Sequence, residues 1–296
     1  MNDVSTALLG WLAATSCQLL VPFTAALLLD RLLPARGWPE LRAAAWALVA
    51  LKLLLPPTIG TSWHAPLAAI TAPPPALLET ANAWQGWIVG LWAFGAVAWL
   101  AITTRAQNRL LRLAHVGAVP MPGDLLTELQ ALAAQAGLRK LPRVLLTNAT
   151  LGTFVHANPR QQLVIDRAQL ATLDHEARRH LLLHELTHLR RRDPQWALAG
   201  TMLQAIWWFH PLAWLVLRRL HALRELCCDQ SVVRVLGGDP RDYRRSLLQA
   251  ARSLLRNEPA RQHAFAPWGS LALQRLRALE CPDELGQGCG WPYRQP

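Results

Sequence analysis

Apolar positions along this 296-residue chain follow two regimes. Up to about residue 105 they come in long unbroken runs, and beyond it they recur every three or four positions or form short β-like stretches. No charge lies between Asp3 and Asp30, and that Leu-, Ala- and Val-rich interval is long enough to cross a hydrocarbon core at about 1.5 Å per residue. A second run, Ala43 to Ile59, is interrupted only by Lys52 and ends at Pro56-Pro57. A third, between Glu79 and Arg105, is charge-free and carries Trp84, Trp87, Trp92 and Trp99 as interfacial anchors. The pattern therefore predicts three membrane spans, at about residues 5–29, 43–59 and 82–104, with Gly86 and Gly90 as a small-xxx-small packing pair in the third. The leader MNDVST bears an acid and no base, so the first run reads as retained and not as a cleaved signal peptide.

Past residue 105 the periods shorten. Leu125, Leu126, Leu129, Leu132 and Ala133 recur at helical spacing, predicting a helix capped by Asp124 and closed at Gly137. RVLLT after Pro142 and QLVID ending at Asp166 read as short strands. Between them, Gly152 and Asn158-Pro159 mark turns around an edge strand at Thr153 to His156. Asp174 caps the next helix, with Glu176 in its first turn, and Asp239-Pro240 opens another that runs through Leu254. From residue 257 the chain is Pro- and Gly-rich and reads as an irregular tail. The expected organisation is a transmembrane region over 1–104, a domain over 105–256, and the tail over 257–296.

Charge fixes the expected orientation. Arg31, Arg36 and Arg42 lie between the first two spans and Arg105, Arg109 and Arg112 follow the third, whereas Thr58 to Ala83 has no Lys or Arg. Basic loops stay cytoplasmic, so the N-terminus is expected outside and everything after Arg105 in the cytoplasm, in a multi-pass protein of a bacterial-type plasma membrane. The hydrophobic fraction of 52% agrees with a membrane protein, and the net charge of +11 with a basic domain lying on anionic lipid. Nucleic acid is not an expected partner, because no nucleic-acid motif accompanies the arginines. Five cysteines without a CxxC pair should stay reduced in the cytoplasm.

The chemistry gathers in LLLHELTHLRRRD, Leu181 to Asp193. On a helix, His184 and His188 stand one turn apart on one face and can reach a single ion, while Glu185 is placed to take a proton from an attacking water. Two protein ligands leave a zinc site incomplete. The candidate third ligand is Glu225 in RRLHALRELCCDQSVV, with Cys227 or Cys228 as the alternatives, and Asp229 is positioned to accept the outer N–H of a ligating histidine. Tyr243 and His210 are the candidates for steadying a transition-state oxyanion. The charge-free segment 194–217 then poses a topological problem, since a single crossing would put Glu225 across the membrane from the histidines. It must fold back with His210-Pro211 as the break, or lie against the membrane or the domain.

LLLHELTHLRRRD followed by WWFHPLAWLVLRRLHALRELCCDQSVV resembles the BlaR/MecR-type membrane metallopeptidases, the antirepressor protease family whose signature is HExxH and a later E-x-x-C-D. The resemblance covers roughly residues 1–255, and Val144 to Asp166 and Asp242-Tyr243 also sit where the family has comparable features. It implies a mainly α membrane protein with three N-terminal spans and a cytoplasmic α+β, gluzincin-like zinc protease domain containing a small sheet. One zinc ion would be held by His184, His188 and Glu225, with Glu185 as general base and Asp229 supporting a ligand. A peptide would add as a strand to an exposed sheet edge, here Thr153 to His156. No S-x-x-K appears, so covalent recognition of a β-lactam is not expected, and sensing would use the spans, the outer loop or another protein.

The expected function is a membrane-anchored zinc endopeptidase that cleaves a cytoplasmic protein, a repressor or itself, in signal-responsive regulation. The expected partners are that protein or peptide substrate and the lipid bilayer, with a homodimer left open. Two alternatives stand beside it. One is a quality-control or prenyl-protein protease of the HtpX type, which the C-C-D after Glu225 disfavours. The other is a non-catalytic membrane receptor with a structural metal, which has no need of Glu185 beside an open coordination position.

Overall fold

A computed structural model describes residues 2–33, 38–55, 75–156, 161–237 and 239–256. In chain order its first elements are α1 (Asn2–Gln18), α2 (Leu20–Leu32), α3 (Pro39–Lys52), α4 (Pro75–Val116), β1 (Ala118–Val119) and α5 (Gly123–Gln135). There follow β2 (Arg143–Thr147), β3 (Phe154–His156), β4 (Gln162–Asp166), α6 (Arg167–Ala171), α7 (His175–Arg191), α8 (Asp193–Ile206), α9 (Pro211–Leu236) and α10 (Pro240–Arg256). The protein is thus mainly helical with one small sheet. The chain divides into two compact units, Met1–Arg112 with Asp193–Arg224, and Leu113–Arg192 with Glu225–Pro296. Most of the loop expected over Thr58 to Ala83, the turn at Asn158-Pro159 and the tail from residue 257 lie outside the described residues.

Two stretches among the described residues are long and apolar enough to cross a membrane, Ala7–Leu32 and Trp84–Val116. The sequence pattern led us to expect three. The second, over 43–59, falls short because α3 has 14 residues, about 20 Å of helix, and unwinds at Leu53 and Leu54. Trp46 and Val49 of α3 are buried, and Trp46 meets Phe23 of α2 edge-on. The first expected span, 5–29, is carried by α1 and α2, which meet at the buried Leu19. Pro22, three residues on, has no N–H to return to Gln18. The expected small-xxx-small pair is also corrected: a Cβ on Gly86 or Gly90 would meet nothing within 4 Å, whereas one on Gly95 would lie 2.3 Å from the Trp208 ring. Gly95 is therefore the glycine of α4 that permits a close approach.

The second unit is built on a four-stranded mixed sheet in the order β1-β2-β4-β3. β2 and β4 run parallel in the register Arg143 opposite Gln162 through Thr147 opposite Asp166, and β1 and β3 are antiparallel edges. Leu163, Val164 and Ile165 are fully buried, which is why QLVID is apolar on both faces. Leu125, Leu129 and Leu132 of α5 and Leu182, Leu183, Leu186 and Leu189 of α7 form the core with Leu163 and Ile165, joined by Val232 and Tyr243. Each such side chain contributes about 1.5–3 kcal/mol when fully buried. Pro122, not Asp124, precedes the first turn of α5; Asp124 lies within that turn, where its charge favours the helix N-terminus. Asp174 caps α7 as expected, its Oδ1 accepting from the amide of Ala177 at 2.8 Å.

Candidate metal centre

α7 is buried without interruption from Leu182 to Leu189, so the two histidines sit in protein and not on a wet face. His184 and His188, four residues apart, bring their Nε2 atoms to 3.0 Å of each other with rings nearly perpendicular. Two imidazoles converging on one point in this way have the separation of two ligands on one small ion. α9 presents Glu225, Cys228 and Asp229 on one face by i, i+3, i+4 spacing. The Glu225 carboxylate faces both imidazoles: Oε2 is 3.6 Å from Nε2 of His184 and Oε1 is 3.5 Å from Nε2 of His188. Glu185 follows the first histidine and is buried at 9% exposure.

The opposite edge of the His184 ring meets a different set of groups. Its Nδ1 is 3.0 Å from the Tyr243 hydroxyl, 3.4 Å from Oδ1 of Asp229 and 3.5 Å from Sγ of Cys228. The Tyr243 hydroxyl in turn donates to Asp229 at 2.8 Å. With His184 Nδ1 protonated, a donor chain runs from the imidazole N–H to the phenol oxygen and from the phenol O–H to the carboxylate. That tautomer leaves Nε2 with its lone pair free for an ion. Cys228 is fully buried, which pushes its thiol up; when His184 and His188 are protonated their charges outweigh that and hold it below the ordinary thiol range. One ligand atom from each of His184, His188 and Cys228 lies within 4.8 Å of the others, so this trio could also hold a metal ion.

Residue by residue, the second unit brings together His184, His188, Glu225, Asp229 and Tyr243. His210 falls in the first unit, in the turn between α8 and α9, buried with its ring edge-on to Trp207. Tyr243 stands behind a histidine, its hydroxyl engaged with His184 and Asp229. His180 lies one turn before His184 on α7 and is also buried. Its Nδ1 is 2.8 Å from the Ser246 hydroxyl and its ring meets Tyr243 edge-on, and burial holds its pKa below the ordinary histidine value. The spacing held the clue: Tyr243 and Ser246 are three apart on α10, where they oppose His180 and His184, four apart on α7.

The sheet supplies a neighbouring edge. Among the described residues β3 pairs only with β4, and it packs against α7. The loop entering β3 is pinned by Asp166, whose Oδ2 accepts from the amide of Gly152 at 2.8 Å while Oδ1 accepts from Ala168 and Gln169. Oε1 of Gln169 holds the amide of Thr153 at 2.7 Å. The edge is thus fixed at its start by two buried side chains from the end of β4 and from α6.

The model of the BlaR1 peptidase M56 family matches residues 61–277 of the chain. No curated protein matches it.

Proposed function

The chain belongs to the BlaR1 peptidase M56 family, a group of membrane-associated metallopeptidases, and from that premise we propose a membrane-anchored zinc endopeptidase that cleaves a cytoplasmic protein, of repressor type or the chain itself. The observation that carries this reading is the convergence of two imidazole Nε2 atoms 3.0 Å apart with both oxygens of one carboxylate 3.5–3.6 Å away. Two neutral imidazoles and a carboxylate are the donor set of a hydrolytic zinc site, so the residues fit the metal that the family implies. His184, His188 and Glu225 would hold it. Cys228 is the weaker third ligand, because its sulfur lies by Nδ1 of His184, on the edge of the ring away from the paired Nε2 atoms.

Zinc, when bound, supplies Lewis acidity to a water and to the scissile carbonyl. The chain's own residues do the rest. Glu185 is the general base, taking the proton of the attacking water and passing it to the leaving amine. Asp229, through Tyr243, keeps the His184 proton on Nδ1. The substrate lies extended along the free edge of β3 and gains main-chain hydrogen bonds there. The arginines flanking the apolar runs support a cytoplasmic position for this domain.

Metal analysis of the purified chain beside variants tests the assignment. One zinc per chain is expected in the wild type, in Cys228→Ser and in Glu185→Ala, with loss in His184→Ala and Glu225→Gln. Proteolysis of an unfolded protein, and of the chain itself, should fall about 10²–10⁴-fold in Glu185→Ala although the metal stays. Full occupancy in Glu225→Gln together with loss in Cys228→Ser would move the third ligand to sulfur. Undiminished cleavage by Glu185→Ala would remove the mechanism.

A further inference from the structure

The segment from Asp193 to Arg224 has a surface unlike that of a soluble helical hairpin. Between Gln195 and Arg218 the exposed positions are Trp196, Ala197, Ala199, Met202, Phe209, Pro211 and Leu215, and not one is polar. A helix pair lying on a protein or membrane surface would turn a polar face to water. Here the one ionisable side chain of the interval, His210, is buried.

The break between the two helices is satisfied from within the same unit. Helix ends leave carbonyls without partners, a cost of several kcal/mol each in hydrocarbon. Trp92 of α4 donates its indole N–H to the carbonyl of Ile206, the last residue of α8, at 2.9 Å. Trp208 donates to the carbonyl of Trp92 at 3.1 Å, and Trp214 to that of Trp208 at 2.9 Å. Trp207 donates to the carbonyl of Leu53, just past the end of α3, at 3.1 Å. Gly95 leaves room for the Trp208 ring against α4.

Depth follows from counting along α4. Its charge-free stretch is residues 80–104, of which Trp92 is the middle, and Arg105 lies 13 residues further, about 20 Å along a helix. The 14 residues of α8 span about the same 20 Å from Asp193 to Ile206, whose carbonyl meets Trp92. Both ends of the segment also stay on one side, because Glu225, immediately after it, faces His184 and His188, which precede it.

We propose that residues 193–224 form a re-entrant membrane hairpin, with the Trp207–His210 turn near the bilayer midplane and its outer face covered by lipid acyl chains. It is a membrane element additional to the two helices long enough to span. On α4, Trp87, Leu91 and Phe94 are likewise exposed apolar side chains. The inference rests on surface chemistry and hydrogen bonding, so it stands whether or not the metal centre is hydrolytic.

Single cysteines at exposed positions test it in sealed lipid vesicles, with Cys17, Cys281 and Cys289 replaced by serine and the buried Cys227 and Cys228 kept. Gln195→Cys and Arg218→Cys should react with a membrane-impermeant maleimide from the same face. Phe209→Cys and Leu215→Cys should be unreactive from both faces, and a fluorophore attached to them before reconstitution should be quenched by spin-labelled acyl chains. Labelling of Gln195→Cys and Arg218→Cys from opposite faces would show a single crossing and end the proposal. Aqueous labelling at both Phe209→Cys and Leu215→Cys would place the hairpin in water. Protection without lipid quenching would mean that protein, such as a second copy, covers the face, and that too overturns it.

Discussion

The two edges of the His184 ring do different work, and the groups on each edge say which. Nε2 faces His188 and Glu225, and Nδ1 faces a phenol that is itself fixed by Asp229. Removing only the Tyr243 hydroxyl, in Tyr243→Phe, keeps the buried ring and the core around it while Nδ1 loses its nearest acceptor. Zinc affinity should fall about 10–100-fold, the usual effect of deleting such a support, as read by competition with a coloured chelator. If affinity is unchanged and only the turnover number drops, the hydroxyl acts on the reaction and not on the ligand. That His184 and His188 share one face was legible in the sequence, because a helical period of 3.6 brings residues four apart together. Glu225 lies on a second helix, and its candidacy as a carboxylate in RRLHALRELCCDQSVV carried with it the requirement that both segments lie on one side of the membrane. The role of Tyr243 was not legible, since nothing in one dimension says which edge of an imidazole a distant phenol will meet.

At the scale of elements, the signals read correctly are those in which local chemistry and tertiary packing agree. RVLLT and QLVID are strands over the expected residues, because the sheet buries what their β-branched and leucine side chains would bury anyway. Asp174 opens α7 through one hydrogen bond, and Asp174→Ala should cost about 0.5–2 kcal/mol, seen as a lower unfolding midpoint with metal stoichiometry unchanged. Asp166 is more consequential, since three amides, those of Gly152, Ala168 and Gln169, depend on its carboxylate. Asp166→Ala leaves those donors to be satisfied some other way, at about 1–3 kcal/mol for each that is not. Because it frees the start of β3, it should raise KM for a peptide substrate more than it lowers kcat. Equal loss in both would show that the edge strand takes no part in binding. α3 was misjudged for a physical reason: an apolar run reports burial without saying whether lipid or protein does the burying, and Trp46 and Val49 are buried in the protein. For the segment 194–217, hydropathy registers one apolar stretch, and only His210-Pro211 betrays that it is two helices.

At the scale of the whole molecule, the apolar runs hid a polar tie within the first unit. Asp30, near the end of α2, binds Arg42 of α3 and Arg219 of α9, one carboxylate oxygen to each guanidinium. Asp30 and Arg42 are almost wholly buried, whereas Arg219 keeps about a quarter of its side chain exposed, at 28%. A buried pair adds little net stability over apolar packing, because desolvation offsets attraction, but its breakage strands a charge. Read as isolated charges, Arg42 was one more vote for orientation and Asp30 the end of a span. Through Asp30 they join α2 and α3 to α9, 189 residues further on, and no periodicity could announce that. Asp30→Asn should therefore destabilise the detergent-solubilised protein by about 3–5 kcal/mol, the usual cost of removing one partner of a buried ion pair. Replacing Asp30 and Arg42 together by leucine and methionine should recover much of that loss, since Arg219 can still reach water. Urea titration followed by tryptophan fluorescence checks both variants, and a double variant less stable than Asp30→Asn alone would mean that the ion cluster holds these helices by more than charge balance.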